Sequence, residues 1–203
     1  MNGARKLGLS LAALAIGYAG VSGVQSCSVP PPEEFRIGVP DQSSGAASDM
    51  RMRPNLITPL AKEYQSALSR PGRHITLVPL RPSQRLDALR EKKVELVFGC
   101  VGEMLDQMDH NTAKQVRGRF ATSGSPDTPR WRDVTHSTLL SATPSDVGVS
   151  DPGLATPCPD PTIPQNTVAL YDKPRINRED RRALNNVAGG ISTQDLEDKA
   201  SEG

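Results

Sequence analysis

The 203-residue chain carries 24 Lys+Arg against 23 Asp+Glu, and its formal net charge of +1 gives no general electrostatic drive toward nucleic acid. Aromatic residues make up 3% of it, and 17 Gly with 18 Pro point to long loops around a modest aliphatic core. Beyond the N-terminus no apolar run reaches about 18 residues, which excludes a polytopic membrane protein.

In chain order, the first segment reads as an export signal. Arg5 and Lys6 form a charged start, Leu7 to Ala19 is an apolar run, and Val24-Gln25-Ser26 leads to Cys27. The small residues ending at a cysteine resemble a bacterial lipobox, with Gln25 an uncommon residue at its position. The reading is a lipoprotein signal peptide over 1–26, lipidation on the Cys27 thiol, and a Pro-rich tether over 27–34. The alternative is an ordinary secretory signal cut nearby, with Cys27 a bystander. Setting Arg5 and Lys6 aside leaves 22 basic residues against 23 acidic ones. Cys100 and Cys158 are the remaining cysteines, and in an oxidising compartment a disulfide between them would add about 3–4 kcal/mol by loop-closure entropy. Two free thiols are the alternative.

From Phe35 the pattern switches between two periods. Phe35-Arg36-Ile37-Gly38-Val39 alternates as a strand and stops at Pro40. Ile57, Leu60, Ala61, Tyr64, Ala67 and Leu68 then mark a helix ending before Pro71-Gly72. Ile75 to Val78 reads as a second strand, Ser83 as the cap of a helix carrying Leu86, Ala88 and Leu89, and Val94 to Phe98 as a third strand broken by Gly99. Strand–helix–strand order implies parallel strands with right-handed crossovers. After Phe120 the signal weakens. Asp133 to Ala142 reads as a helix, and Pro144 to Gln165, with six prolines, as irregular chain. Thr167 to Leu170 reads as a strand returning to the sheet, and Arg178 to Val187 with Ser192 to Lys199 as two closing helices. The fold class is therefore α/β, an open and mostly parallel sheet with flanking helices. One lobe takes its first part from 35–120, a reduced Pro/Ser-rich insert from 121–165, and its return strand and last helices from 166–203.

Ligands of open parallel sheets meet the carboxyl ends of the strands. Candidate contacts there are Ser43 and Ser44 after the first strand, Ser83 after the second, and Glu103 after the third, with Tyr171 at the end of the return strand. Glu103 also suits the N-terminus of the next helix through the dipole. Cys100 with His74, His110 and His136 lacks any spacing that supports a thiol nucleophile. Asp106, Asp109 and His110 lack the second cluster a metal site needs. Arg178, Arg181 and Arg182 with Glu179 and Asp180 read as a solvated mixed-charge helix.

Two stretches carry a resemblance. The first runs from Ala88-Leu89-Arg90-Glu91-Lys92-Lys93 through Val94-Glu95-Leu96-Val97-Phe98 to Gly99-Cys100-Val101-Gly102-Glu103. The second comprises Tyr171-Asp172-Lys173-Pro174, Ala183-Leu184-Asn185-Asn186-Val187 and Ile191-Ser192-Thr193-Gln194-Asp195-Leu196. Together they resemble the substrate-binding proteins of ABC importers of the glycine betaine, choline and quaternary-amine type, over Phe35 to Phe120 and Asn166 to Leu196. The resemblance implies one lobe of a type 2 periplasmic-binding fold and a membrane-anchored extracytoplasmic solute-binding lipoprotein. Its ligand would be a small amine or zwitterion and its partner a transporter permease, with no catalytic residue, cofactor or nucleic acid. Two features depart from that family. Residues 121–165 are too few for a second βαβ lobe, and aromatics are too scarce for a full cation–π cage. The alternative function is a one-lobed accessory envelope lipoprotein that docks on a protein partner without binding solute.

Overall fold

A computed structural model describes residues 31–41, 52–124, 128–158 and 160–202; Cys27, Ser43 and Ser44 lie outside them. Strand β1 (Glu33–Pro40) buries Phe35 and Ile37 completely, as its alternation requires. It pairs in parallel with β2 (Arg73–Leu80) on one side and with β3 (Leu96–Cys100) on the other. Strand β5 (Thr167–Asp172) runs antiparallel to β3, and the short β4 (Val147–Val149) antiparallel to β5. The order is β2-β1-β3-β5-β4, so β5 alone points against the other four.

Helices cover both faces. Helices α1 (Pro54–Leu68), α6 (Arg178–Gly190) and α7 (Thr193–Ser201) bury Leu56, Ile57, Leu60, Tyr64, Leu184 and Leu196 against Phe35, Ile37, Leu96, Phe98 and Ala169. On the other face are α2 (Arg85–Arg90), α3 (Val101–Met108), α4 (His110–Thr122) and α5 (Thr128–Ala142). They pack Leu89, Met104, Leu105, Val116 and Leu139 on Val97, Val168 and Leu170. Successive residues of β3 therefore feed different cores, the period-2 consequence of a sheet buried on both sides.

Three expectations need correction. The third strand starts at Leu96 rather than Val94 and runs through Gly99. A Cβ at Gly99 would meet Met104 Cε at 2.5 Å and Arg85 Nη1 at 2.6 Å, so glycine here serves packing and breaks nothing. Ser83 caps no helix: Pro82–Gln84 form a 3₁₀ turn, and Gln84 precedes α2. Residues 144–165 hold β4, which is too short to show without its partner β5. The closing helices follow their caps. Ser192 and Asp195 form a reciprocal capping box at α7, as Asn177 and Asp180 do at α6.

One polar knot lies at the amino ends of the parallel strands. Arg73, with a fully buried side chain, stacks 4.6 Å over the Phe35 ring and pairs with Asp180 at 2.8 Å and Glu33 at 3.1 Å. It ties β2, β1 and α6 together.

Candidate functional site

At the carboxyl end of β3 the chain passes from Cys100 straight into α3, where helix N–H groups and the dipole favour an acceptor. The protein supplies those acceptors itself. Cys100 N–H donates to Glu103 Oε2 at 3.4 Å, Val101 N–H to the Asn166 carbonyl at 2.9 Å, and Gly102 N–H to Gln165 Oε1 at 2.9 Å. Glu103 is 3% exposed and ion-pairs with Arg85, which is 1% exposed and also donates to the Phe98 carbonyl. Burial pulls the Arg85 guanidinium below its ordinary range, and the Glu103 carboxylate works the other way. Glu103 thus spends its charge inside the fold.

Beside this helix start lies a pocket of about 290 Å³, lined among others by Phe120, Arg132, Thr156, Cys158, Asp160 and Gln165. The Cys100–Cys158 disulfide joins its wall to the end of β3. Gln165 is 5% exposed, and its carbonyl oxygen is committed to Gly102, which fixes the amide so that Nε2 is the free donor. That nitrogen is buried without a hydrogen-bond partner, and so is Arg132 Nε. The acid in the lining is engaged: Asp160 binds Arg117 at 3.4 Å and accepts from Thr162. Burial opposes its charge, yet the Thr162 bonds and Arg117 hold Asp160 below the usual carboxylate range. The residues lining the pocket therefore include a guanidinium, two buried donor nitrogens without a partner, and one aromatic, Phe120. The pocket is suited to an oxygen anion carried on a small organic body.

Two larger depressions are less apt. A groove of about 440 Å³ between α1 and α7 includes Lys62, Glu63 and Lys199, with Lys199 bound to Glu63 at 2.9 Å. A shallow depression of about 670 Å³ at the amino ends holds Arg36 on Glu95 and Lys92 on Asp172, so these two pairs spend their charges on each other, with Glu34 and Arg175 at its side.

The structure brings few of the expected contacts together. Ser83 is exposed on its 3₁₀ turn, while Glu103 lies inward behind Arg85. Tyr171 pairs across β3 with Leu96, at the amino end of the parallel strands, because β5 runs backwards. Its ring covers Gly148, where a Cβ would come within 2.1 Å of it, and burial pushes its phenol up. Phe35, Phe98 and Tyr64 are core, with Tyr64 5.4 Å from Phe98. Phe120 and Trp131 meet edge-on at 5.6 Å, so the described aromatics make one wall at the pocket and no three-sided cage.

Cys100 forms a disulfide, which removes it as a nucleophile. The histidines stand apart, His74 on Glu34, His110 on Asp106 and His136 on the Ser150 carbonyl. Among the described residues no group of His, Cys, Asp and Glu could hold a metal ion. Sequence reasoning missed Arg132, Gln165, Arg85 and Arg117. Trp131-Arg132 sits in a stretch of weak periodicity, and Gln165 carries no local signal.

The fold and pocket define an α/β domain with a small donor-lined cavity at the carboxyl end of its central strand. No family model matches the chain, and no curated protein matches it. Among solved structures, a TRAP periplasmic solute-binding protein from Ochrobactrum anthropi, with its C-terminus bound in the ligand-binding pocket, is similar at a TM-score of 0.40. The identity is 9%, over 85% of this chain and 77% of that one. At that level the likeness bears on neither function nor site.

Proposed function

We propose that this protein is an extracytoplasmic solute-binding lipoprotein, anchored through Cys27, that takes a small zwitterion for the permease of an ABC importer. The observation that carries the reading is the pair of unpartnered buried nitrogens, Arg132 Nε and Gln165 Nε2, on residues lining one pocket at the carboxyl end of β3. Leaving such donors unsatisfied costs about 1–3 kcal/mol each, a cost a carboxylate in the pocket removes once these side chains turn toward it. Phe120, in the same lining, is the aromatic ring an ammonium group there would meet. A betaine, with both charges, fits this set better than choline, which would bring an uncompensated cation to Arg132 and only a neutral hydroxyl oxygen to receive its hydrogen bonds. Export is supported by the leader and by the Cys100–Cys158 disulfide. The role asks for no catalytic residue and no cofactor.

A thermal-shift panel on residues 31–203 tests it, with glycine betaine, proline betaine, carnitine, choline and polyamines. A ligand at about 100 times its Kd stabilises by about 2.7 kcal/mol, a shift of a few degrees. The reading requires that shift from at least one carboxylate-bearing compound. A cooperative fold with no shift from any compound leaves the docking lipoprotein as the better account.

A further inference from the structure

Five exposed cations crowd a ten-residue stretch at the amino end of the sheet, Lys173, Arg175, Arg178, Arg181 and Arg182, against one exposed acid within the stretch, Glu179, and two beside it, Glu34 and Asp146. Elsewhere at this end cations are matched: Arg36 pairs with Glu95, Lys92 with Asp172, and Arg73 with Glu33 and Asp180. Among the described residues none of the five has an acidic partner; Lys173 and Arg175 donate to the carbonyls of Ser145 and Glu34, both at 2.9 Å. Arg178 is the first residue of α6, where the helix dipole is already positive and a cation is unfavourable for folding, and Arg181 and Arg182 follow it at helical spacing. A face that concentrates unmatched charge against its own helix suits an external anion.

The chain's entry point says which surface that face meets. Strand β1 begins at Glu33, at the same end, and Arg175 bonds the next residue's carbonyl. Six residue steps separate Cys27 from Glu33, a reach of about 20 Å at full extension. A lipid on Cys27 would therefore hold the start of β1 within that reach of the bilayer. We infer that the Lys173–Arg182 face docks on anionic phospholipid headgroups, orienting the domain with its pocket toward the extracytoplasmic solution. The inference uses the anchor at Cys27 only to bring the face to the membrane; the contact itself is electrostatic and needs no lipid on the protein.

Residues 31–203 form one compact unit, and this form, checked by circular dichroism and cooperative melting, is the reagent. It is sedimented with vesicles of phosphatidylcholine alone and with 40 mol% phosphatidylglycerol. Binding should appear only on the anionic vesicles and fall away in 0.5 M salt, where screening is nearly complete. At about fivefold per cation, Arg181→Gln/Arg182→Gln should weaken it by more than tenfold. Lys114→Gln/Arg119→Gln, on α4, removes the same charge elsewhere and should change it less than threefold. Equal binding to both vesicles, no binding to either, or equal losses in the two double variants would overturn the inference. Mass spectrometry of the full chain separately decides whether Cys27 carries diacylglycerol, so the anchor and the docking face can fail independently.

Discussion

Arg85 and Glu103 form an ion pair sealed inside the protein, at 1% and 3% exposure, on the ends of α2 and α3 that flank the head of β3. Among the described residues each is the other's one countercharge there, so the pair is sensitive to losing one member rather than both. Glu103→Leu should cost about 3–5 kcal/mol in urea denaturation, because it strands a buried guanidinium. Arg85→Met/Glu103→Leu should recover most of that loss. A single variant as stable as the double would show that the pair is solvated in solution.

The Cys100–Cys158 bridge spans 58 residues and ties the loop after β4 to the head of β3. Loop-closure entropy predicts that Cys100→Ser/Cys158→Ser loses about 4 kcal/mol of stability. Urea midpoints of the oxidised protein and the double variant measure it. The variant should also lose solute affinity, since Cys158 lines the pocket.

The polar knot around Arg73 predicts the response to acid. Hydrogen bonding from Arg73, with help from Arg70 and against some desolvation, lowers Glu33 from its ordinary 4.5 to about 2. A depressed folded-state value means that this stabilisation is complete above about pH 4.5 and is lost as pH falls toward 2. Urea midpoints of the parent and of Glu33→Gln, compared from pH 6 to 2.5, should converge as pH drops. A constant difference would contradict the assignment.

Two glycines should respond oppositely to alanine. At Gly102 a Cβ would lie 2.7 Å from Gln165 Oε1 and 2.8 Å from Ile163 Cγ2, so Gly102→Ala should cost about 1–3 kcal/mol and disturb the pocket. At Gly118, on the exposed face of α4, nothing lies within 4 Å. Gly118→Ala should stabilise by about 0.5–1 kcal/mol. Thermal midpoints moving in the same direction would count against the packing at Gly102.

The elements that could be read ahead of the structure are those whose signals are local. The Phe35–Ile37 alternation, the Leu60–Tyr64–Leu68 stripe and the Ser192–Asp195 cap each specify their element with neighbours a few residues away. The direction of β5 depends on how the chain crosses over from β4, which no short pattern encodes, and reversing it moves Tyr171 to the far end of the sheet from Glu103. Val94 misleads for a related reason. It is fully buried like a strand residue but precedes the ladder, which begins two residues later. The pocket was the least legible part, because Phe120, Arg132 and Gln165 come from three separate segments and only the fold brings them to one cavity.

Calorimetric titration of residues 31–203 with glycine betaine and with choline, on the parent and on Arg132→Gln, tests the central claim most directly. The account predicts saturable binding of the betaine, at least tenfold weaker binding of choline, and a loss of at least tenfold for the betaine in Arg132→Gln. Choline binding as tightly as the betaine, or an affinity indifferent to Arg132, would contradict it.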